Sequence, residues 1–269
     1  MLPNLKSLKD HNFKFKKSLG QNFIFDSNIT DKIVKHSLPF SNTIIEIGPG
    51  AGTLTKSILK LNVNKLILIE KDKNLINFLK NLTKENNCVQ IFNKDALEVP
   101  LWDLGDPSRE VIANLPYNVS TKILVNLLKF SNHFTKLTMM FQKEVAQRIV
   151  AQPGKKNYGR LSVISQLSTK AKILFDVPNK AFFPEPKVQS CLVQLTPFKT
   201  NLFEYNFENM EKVTKFIFSK RRKMLRSIFK KEGGSSFLNS IDINPNIRPQ
   251  NLTLNEFCKL EYKLRDLIF

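Results

Sequence analysis

The sequence predicts an α/β fold, with a mainly parallel, Rossmann-like sheet followed by a small C-terminal all-helical domain. Short apolar, β-branched stretches alternate with helical periodicity up to about residue 150, a pattern typical of successive βαβ units. Beyond a shift in composition at 197–206 the pattern indicates helices only. We therefore expect a basic N-terminal arm over residues 1–20, an α/β domain over 21–198 and a helical domain over 199–269.

The composition is that of a globular protein with a strongly basic surface. The chain has 269 residues, 42% of them hydrophobic, and a net charge of +19, which indicates a polyanionic partner such as RNA or an anionic membrane surface. The abundance of Lys, Asn, Ile and Phe suggests AT-rich coding, so clustering of charge is more informative than its total. No stretch reaches 18 apolar residues, and the lysine-rich N-terminus lacks the apolar core of a signal peptide. A cytoplasmic location is the expectation.

The cysteines and histidines predict neither disulfides nor a metal site. Cys88, Cys191 and Cys258 are odd in number, far apart, and not in a C-x-x-C arrangement. The three histidines are isolated from one another and from these cysteines. We expect no metal ion and no catalytic histidine.

A glycine-rich turn after the first predicted strand, Thr43–Ile47, indicates a cofactor site. Residues 48–52 follow that strand in the spacing G-x-G-x-G and lead into a predicted helix, whereas the dinucleotide fingerprint is G-x-G-x-x-G. Glu46 and Pro49 disfavour a pyrophosphate, because an anion repels it and proline removes an amide donor. Both are compatible with S-adenosylmethionine, which has no phosphate and carries a cationic sulfonium and ammonium.

Polar residues at the ends of the next strands extend this site. Glu70 ends the second strand about 20 residues past the glycines, where an acid suits a ribose diol. Asp95 follows the third strand and suits the adenine amine of the cofactor. Because ligands of open α/β sheets bind at strand ends, we expect Gly48, Glu70, Asp95 and Asn114 to meet around S-adenosylmethionine.

The segment Asn114-Leu115-Pro116-Tyr117, which follows the fourth strand, indicates chemistry on an adenine amine. The lone pair of that amine is delocalised into the ring. The side-chain carbonyl of Asn114 and the main-chain carbonyl of Leu115 can accept its two hydrogens, which favours a pyramidal, nucleophilic nitrogen. Pro116 stiffens the turn, and Tyr117 offers a ring on which the base can stack. Alone, the tetrapeptide is equally consistent with a strand that ends in a proline turn.

Two basic clusters are candidate RNA contacts. The first lies on a predicted helix over 220–231, where codon bias towards lysine does not explain the clustered arginines, and guanidinium groups suit phosphates. The helix is expected to pack through Met224, Leu225 and Ile228. The alternative for both clusters is an exposed surface that binds no RNA. The candidates are Arg221, Arg222, Lys223 and Arg226 in the first cluster, and Lys155, Lys156 and Arg160 in a loop.

Seven segments spread along most of the chain carry a family resemblance. They are 17–23 (KSLGQNF), 46–50 (EIGPG), 114–118 (NLPYN), 141–145 (FQKEV), 158–162 (YGRLS), 182–188 (FFPEPKV) and 221–223 (RRK). Together these segments resemble the small-subunit ribosomal RNA adenine dimethyltransferase family. The chain departs from the family at Ala113, where glycine is usual, and we expect at most a small adjustment of the loop.

The resemblance implies a seven-stranded methyltransferase sheet with a late hairpin. It implies an enzyme that converts two adjacent adenosines in a hairpin loop near the 3′ end of small-subunit rRNA into N6-dimethyladenosines, with S-adenosylmethionine as methyl donor. The implied partners are this rRNA and the assembling small subunit. A monomer with no membrane or DNA partner is the default expectation. The implied cofactor contacts are Asn22, Ile24, Gly48, Glu70, Asp95 and Asn114, and the implied base pocket is Asn114, Leu115, Tyr117 and Phe182.

Three alternatives to this function remain open. The large-subunit rRNA adenine methyltransferases of macrolide resistance share the Asn-x-Pro-Tyr segment, but segments 114–118 and 182–188 favour the small-subunit family. A DNA adenine methyltransferase is disfavoured because no target-recognition insertion is visible. A non-catalytic ribosome-assembly factor would use the same surface, and the intact site argues against loss of activity.

Overall fold

The chain folds into two compact units. A computed structural model describes residues 22–200 and 202–268, with side chains described through Arg265, so the predicted arm over 1–20 lies outside the described residues. The first unit comprises the chain up to Ala146 together with Lys172–Pro197. The second, helical unit comprises Gln147–Ala171 and the chain from Phe198 onward. The sequence pattern assigns 147–171 to the α/β domain, whereas the structure groups this segment with the helical unit.

The first unit contains a seven-stranded sheet and a separate pair of short strands. In chain order the strands are β1 (Phe23–Ile24), β2 (Thr43–Ile47), β3 (Lys65–Glu70), β4 (Val89–Asn93), β5 (Arg109–Ala113), β6 (Phe134–Gln142), β7 (Thr169–Val177), β8 (Phe182–Phe183) and β9 (Ser190–Pro197). The order in the sheet is β4-β3-β2-β5-β6-β9-β7. Strands β2 to β6 pair in parallel, β9 pairs antiparallel with β6, and β1 pairs antiparallel with β8.

Helices connect the parallel strands, and the central strands are buried. Strand β2 is buried along its whole length, as is β3 after Lys65, which explains why both read as continuous apolar runs rather than alternating ones. The helices are α1 (Ser27–His36), α2 (Thr53–Leu59), α3 (Lys73–Thr83), α4 (Tyr117–Lys129) and α5 (Lys143–Val150). Asp26 and Asp72 cap α1 and α3, each accepting a hydrogen bond from a backbone N–H of the first turn.

The second unit has its own apolar core. Tyr158, Val163 and Leu167 pack with Phe229 and Phe257 in this core, which is the physical reason that segment 147–171 belongs to the helical unit. Over residues 202–268 the regular structure is helical, as the sequence predicts. The helices are α6 (Arg160–Ser168), α7 (Phe207–Ser219), α8 (Leu225–Ile228), α9 (Ser235–Asn239) and α10 (Leu254–Ile268).

The prediction of one continuous helix over 220–231 is wrong. Lys220 ends α7, a turn follows, and α8 begins only at Leu225. The backbone N–H groups of Leu225 and Arg226 donate to the carbonyls of Ile247 (2.9 Å) and Pro245 (3.0 Å), so a distant loop takes the place of helical partners. Leu225 is buried as expected, along with Ile228, whereas Met224 is 38% exposed.

Candidate active site

A cavity of about 230 Å³ lies in the first unit, where β2, β3 and β5 end and the glycine turn begins. The parallel strands converge on this edge of the sheet, which is why residues far apart in sequence meet there. Tyr117 and Phe182 do not line this cavity. The lining includes all six predicted cofactor residues and Leu115: Asn22, Ile24, Gly48, Glu70, Asp95, Asn114 and Leu115.

The glycine turn is closely packed. Gly48 and Gly50 adopt φ angles of +69° and +57°, which side chains rarely tolerate. A Cβ atom on Gly50 would lie 2.4 Å from the ring of Phe23, and one on Gly48 would lie 3.2 Å from Leu115. The turn therefore needs glycine both for its backbone conformation and for contact with its neighbours.

Glu70 is held by backbone amides on both sides. Its Oε2 accepts from the N–H of Gly50 at 3.1 Å, and its Oε1 accepts from the N–H of Asp72 at 2.8 Å. Burial raises the pKa of Glu70, while these backbone hydrogen bonds lower it. Each carboxylate oxygen can accept a further bond, so Glu70 is fixed in position and remains able to bind a ribose hydroxyl.

Asp95 is an ionised acceptor at the same edge. Its Oδ2 lies 2.7 Å from Nζ of Lys71, and its Oδ1 accepts from the N–H of Leu97 at 3.0 Å. The Lys71 ammonium lowers the pKa of Asp95. Lys71, Lys94 and Asp95 all line the cavity, so this side of it is polar and carries both signs of charge.

Glu46 is a site residue to which sequence reasoning gave no contact. It lines the cavity and is 1% exposed. Its Oε2 accepts from the hydroxyl of Thr55 at 2.7 Å, whereas no described residue donates to its buried Oε1. Burial raises the pKa of Glu46 to about 8. The signal in the sequence is an acid two residues before Gly48, which disfavours a phosphate and suits a cation.

Asn114 is oriented by the segment that precedes α1. Its side-chain nitrogen donates to the carbonyl oxygen of Asn22 at 3.5 Å. Because this bond uses the side-chain nitrogen, Oδ1 of Asn114 can act as an acceptor. Pro116, with φ −53° and ψ 136°, then begins α4. The turn thus places the Asn114 side chain at the cavity, three residues before the first residue of α4.

The two predicted aromatic residues lie in different surroundings. Tyr117 is half-buried, and its hydroxyl lies 2.5 Å from Oγ of Ser190. Phe182 is 4% exposed and pairs with Ile24 between β8 and β1. Its neighbour Phe183 is 41% exposed. The structure therefore places the Phe182 ring in the apolar core.

The two basic clusters of the helical unit meet at one contact. A guanidinium nitrogen of Arg221 donates to the carbonyl oxygen of Lys156. Arg160 is paired with Glu211, and Arg226 donates to Oδ1 of Asn246 at 2.7 Å. The exposed members are Lys155, Lys156, Arg160, Arg222, Lys223 and Arg226.

Comparison with known proteins decides the family. The family model described as ribosomal RNA adenine dimethylase matches residues 12–266. The chain belongs to the ribosomal RNA adenine dimethylase family. The chain is 42% identical over 249 residues to a ribosomal RNA small subunit methyltransferase A from Ehrlichia ruminantium (strain Gardel), an alignment that covers 91% of this chain and 95% of that protein.

Solved structures agree with this assignment. A crystal structure of a dimethyladenosine transferase from Plasmodium falciparum is similar with a TM-score of 0.78 at 27% identity, over 91% of this chain and 98% of that one. The 23S rRNA methyltransferase ErmE shares the fold, with a TM-score of 0.69 at 18% identity, over 90% and 99% of the two chains. The predicted family, the seven-stranded methyltransferase fold and the prediction of an rRNA-methylating enzyme are thus confirmed.

None of the helices in the described part of the chain is both long and apolar enough to span a membrane. Within the same residues, no group of three or more His, Cys, Asp or Glu side chains is arranged to hold a metal ion.

Proposed function

We propose that this protein transfers methyl groups from S-adenosylmethionine to N6 of two adjacent adenosines in a hairpin loop near the 3′ end of small-subunit rRNA. Family membership and the 42% identity to a small-subunit methyltransferase support this substrate. The observation that carries the chemistry is the position of Asn114, which lines the cavity and whose side-chain nitrogen donates to the carbonyl oxygen of Asn22. The protein acts as a monomer in the cytoplasm, during small-subunit biogenesis.

The cavity residues fit S-adenosylmethionine. Glu70 and Asp95 are fixed acceptors for the ribose and the adenine amine. The buried Oε1 of Glu46 lacks a partner among the described residues, and an ammonium or sulfonium nearby would favour its ionised form. Gly48 and Gly50 let the turn keep its left-handed backbone and its close contacts with Leu115 and Phe23 at the wall of the cavity. When bound, the cofactor supplies a methyl group on a positively charged sulfur.

The chain's own residues prepare the amine. Asn114 Oδ1 and the Leu115 carbonyl accept the two amine hydrogens and aim the nitrogen lone pair at the methyl carbon, which is electrostatic preorganisation of the reacting atom. Tyr117 provides the ring on which the extruded adenine stacks. Phe182 can cover the other face of the adenine only after β8 and its partner β1 shift, because its ring is buried in the apolar core. No general base is needed, because the methylated amine is acidic enough to lose its proton to water.

The decisive experiment supplies radiolabelled S-adenosylmethionine with unmethylated small or large ribosomal subunits and maps the label. We expect label at N6 of two adjacent adenosines in small-subunit rRNA, and at least about 100-fold slower labelling with the Asn114→Ala protein. Label in large-subunit rRNA would identify a macrolide-resistance type of enzyme instead. Tight binding to small subunits without any label would identify an assembly factor.

A further inference from the structure

We infer that Ser190 is a positioning residue for methyl transfer, which fixes the ring of Tyr117 through a hydrogen bond between their hydroxyl groups. The inference rests on the proposed function, in which the target adenine stacks on Tyr117. Sequence reasoning assigns Ser190 no role, because 73 residues separate it from Tyr117.

The contact holds the Tyr117 side chain at its far end. The two hydroxyl oxygens are 2.5 Å apart, and Ser190 is fully buried. At its near end Tyr117 is the first residue of α4, directly after Pro116. A tyrosine side chain has two rotatable torsions, so a backbone fixed by a helix and a hydroxyl fixed by a buried partner define the plane of the ring.

Ser190 is itself a rigid anchor. The N–H of Lys143 donates to the carbonyl of Gln189 at 2.8 Å, on one side of Ser190. On the other side the thiol of Cys191 donates to Oδ1 of Asp176 at 3.1 Å, and Oδ2 of Asp176 pairs with Nζ of Lys143 at 2.5 Å. The ends of β6, β7 and β9 are thus joined around Ser190.

The hydrogen bond is available throughout the physiological pH range. Burial raises the pKa of Tyr117 above its ordinary value of 10.0, so the phenol stays protonated. Burial likewise raises the pKa of Cys191 to about 12, so the thiol remains a donor to Asp176. The bond between Tyr117 and Ser190, and the bond between Cys191 and Asp176 that supports it, therefore do not change with pH near neutrality.

Fixing the ring matters most for the second transfer. A reacting nitrogen that is misplaced by 1 Å costs on the order of 100-fold in rate. After the first transfer the amine carries a methyl group and a single hydrogen, so only one of the two carbonyls can accept a hydrogen bond from it. The ring must then fix more of the orientation of the base. A loosened ring should therefore slow both transfers and leave more monomethyladenosine.

The test measures single-turnover methylation of small subunits by Ser190→Ala, Tyr117→Phe and the double variant of the full-length protein. Each single variant should react about tenfold more slowly and release a larger fraction of monomethyladenosine. The double variant should be no slower than the slower single variant, because both remove the same bond. Affinity for S-adenosylmethionine, measured by calorimetry, should stay within about twofold of wild type, and Ser190→Thr, which keeps the hydroxyl, should recover most of the rate.

The matched control is Ser37→Ala, which removes another fully buried serine hydroxyl, one that donates to the carbonyl of Ile33. Ser37→Ala should lower the free energy of unfolding as much as Ser190→Ala does, and it should keep the wild-type rate of methyl transfer. A wild-type rate and product ratio in Ser190→Ala, or multiplicative effects in the double variant, would overturn the inference. If Ser190→Ala does not fold, Tyr117→Phe tests the same bond with Ser190 in place. Absence of methylation by the wild-type protein would instead refute the proposed function.

Discussion

Three carboxylates line the cavity, and each is held in a different way. Glu70 accepts from two backbone amides, and Asp95 is paired with Lys71. Glu46 is more deeply buried, and the hydroxyl of Thr55 is the only donor to it among the described residues. Because burial of an uncompensated carboxylate is costly, Glu46 is the acid whose protonation should respond most to a bound cation.

Removal of the Asn114 side chain should abolish efficient chemistry. We expect Asn114→Ala to slow single-turnover methyl transfer at least about 100-fold, on the order of 3 kcal/mol of transition-state stabilisation, because one of the two amine acceptors is lost. Cofactor affinity should fall by a smaller factor. Asn42→Ala, which changes an exposed asparagine bound to the carbonyl of Pro107, is the control and should react normally. A near-normal rate for Asn114→Ala would refute the proposed role.

Glu46 should make the cofactor-free protein less stable as pH rises. Its pKa is about 8 in the folded protein, against an ordinary value of 4.5, chiefly because of burial. Below pH 4.5 both states keep the proton, so its contribution is fully present; between 4.5 and about 8 the unfolded chain loses the proton first, and the contribution is progressively lost.

The measurement is urea unfolding of wild type and Glu46→Gln at about pH 5 and pH 8. Glutamine keeps an acceptor for Thr55 and does not titrate, so the free energy of unfolding should fall less with pH in the variant. Glu70 titrates in both proteins but is electrostatically coupled to Glu46, so the difference between the two proteins reports Glu46 together with this coupling. An identical pH dependence in the two proteins would show that Glu46 is already ionised when the protein is folded.

At the scale of elements, the glycine turn and the β1–β8 pair form one packed assembly. Phe23 of β1 contacts the turn at Gly50, and β1 pairs with β8 through Ile24 and Phe182. The two short strands thereby support one wall of the cavity. Their pairing is not visible as a sequence pattern, because a two-residue strand has too few residues to show alternation.

A side chain on Gly50 should disrupt this assembly. Gly50→Ala would bring a Cβ to 2.4 Å from the Phe23 ring at a φ of +57°, so we expect a loss of about 1–3 kcal/mol in the free energy of unfolding and at least about tenfold weaker cofactor binding. The matched control is Gly159→Ala, because a Cβ there meets nothing within 4 Å and the backbone is extended. Denaturant unfolding and calorimetry of both variants test this, and equal behaviour of the two variants would contradict it.

At the scale of the whole molecule, the cavity and the basic cluster lie in different units. The cavity lies within the first unit, and the basic cluster around Arg221 and Lys156 lies within the second. The net charge of +19 favours rRNA in general. The contact between Arg221 and the loop of Lys156 gives the cluster a defined place within the helical unit.

Removal of the clustered arginines should weaken docking without affecting the cofactor site. Replacing Arg221, Arg222 and Arg226 with glutamine should lower affinity for small subunits, and each lost phosphate contact should reduce the slope of log K against log salt by about 0.7–0.9. Calorimetry with S-adenosylmethionine should give the wild-type affinity.

The control for this variant replaces Lys73, Lys80 and Lys84, three exposed residues in or next to α3, with glutamine. It removes the same net charge from the first unit and should change the salt slope less. If both triple variants show the same affinity and slope as wild type, the arginine cluster is only a solvated face.

The sequence by itself determined the parallel sheet, the glycine turn and the strand-end residues that line the cavity. Those features depend on local periodicity and turn chemistry, and on the rule that parallel strands end at one edge of a sheet. Gly48, Glu70 and Asp95 could therefore be placed together from the order of the strands alone. Their roles in binding S-adenosylmethionine stay predictions.

Only the tertiary structure decided the features that depend on distant partners. The loop at Pro245–Ile247 replaces the predicted helix around Arg222 with a turn and a short helix, and core packing assigns 147–171 to the helical unit. The bond between Tyr117 and Ser190 likewise joins residues 73 positions apart. No local pattern encodes such contacts, because their free energy comes from burial and hydrogen bonds that form only when separate segments meet.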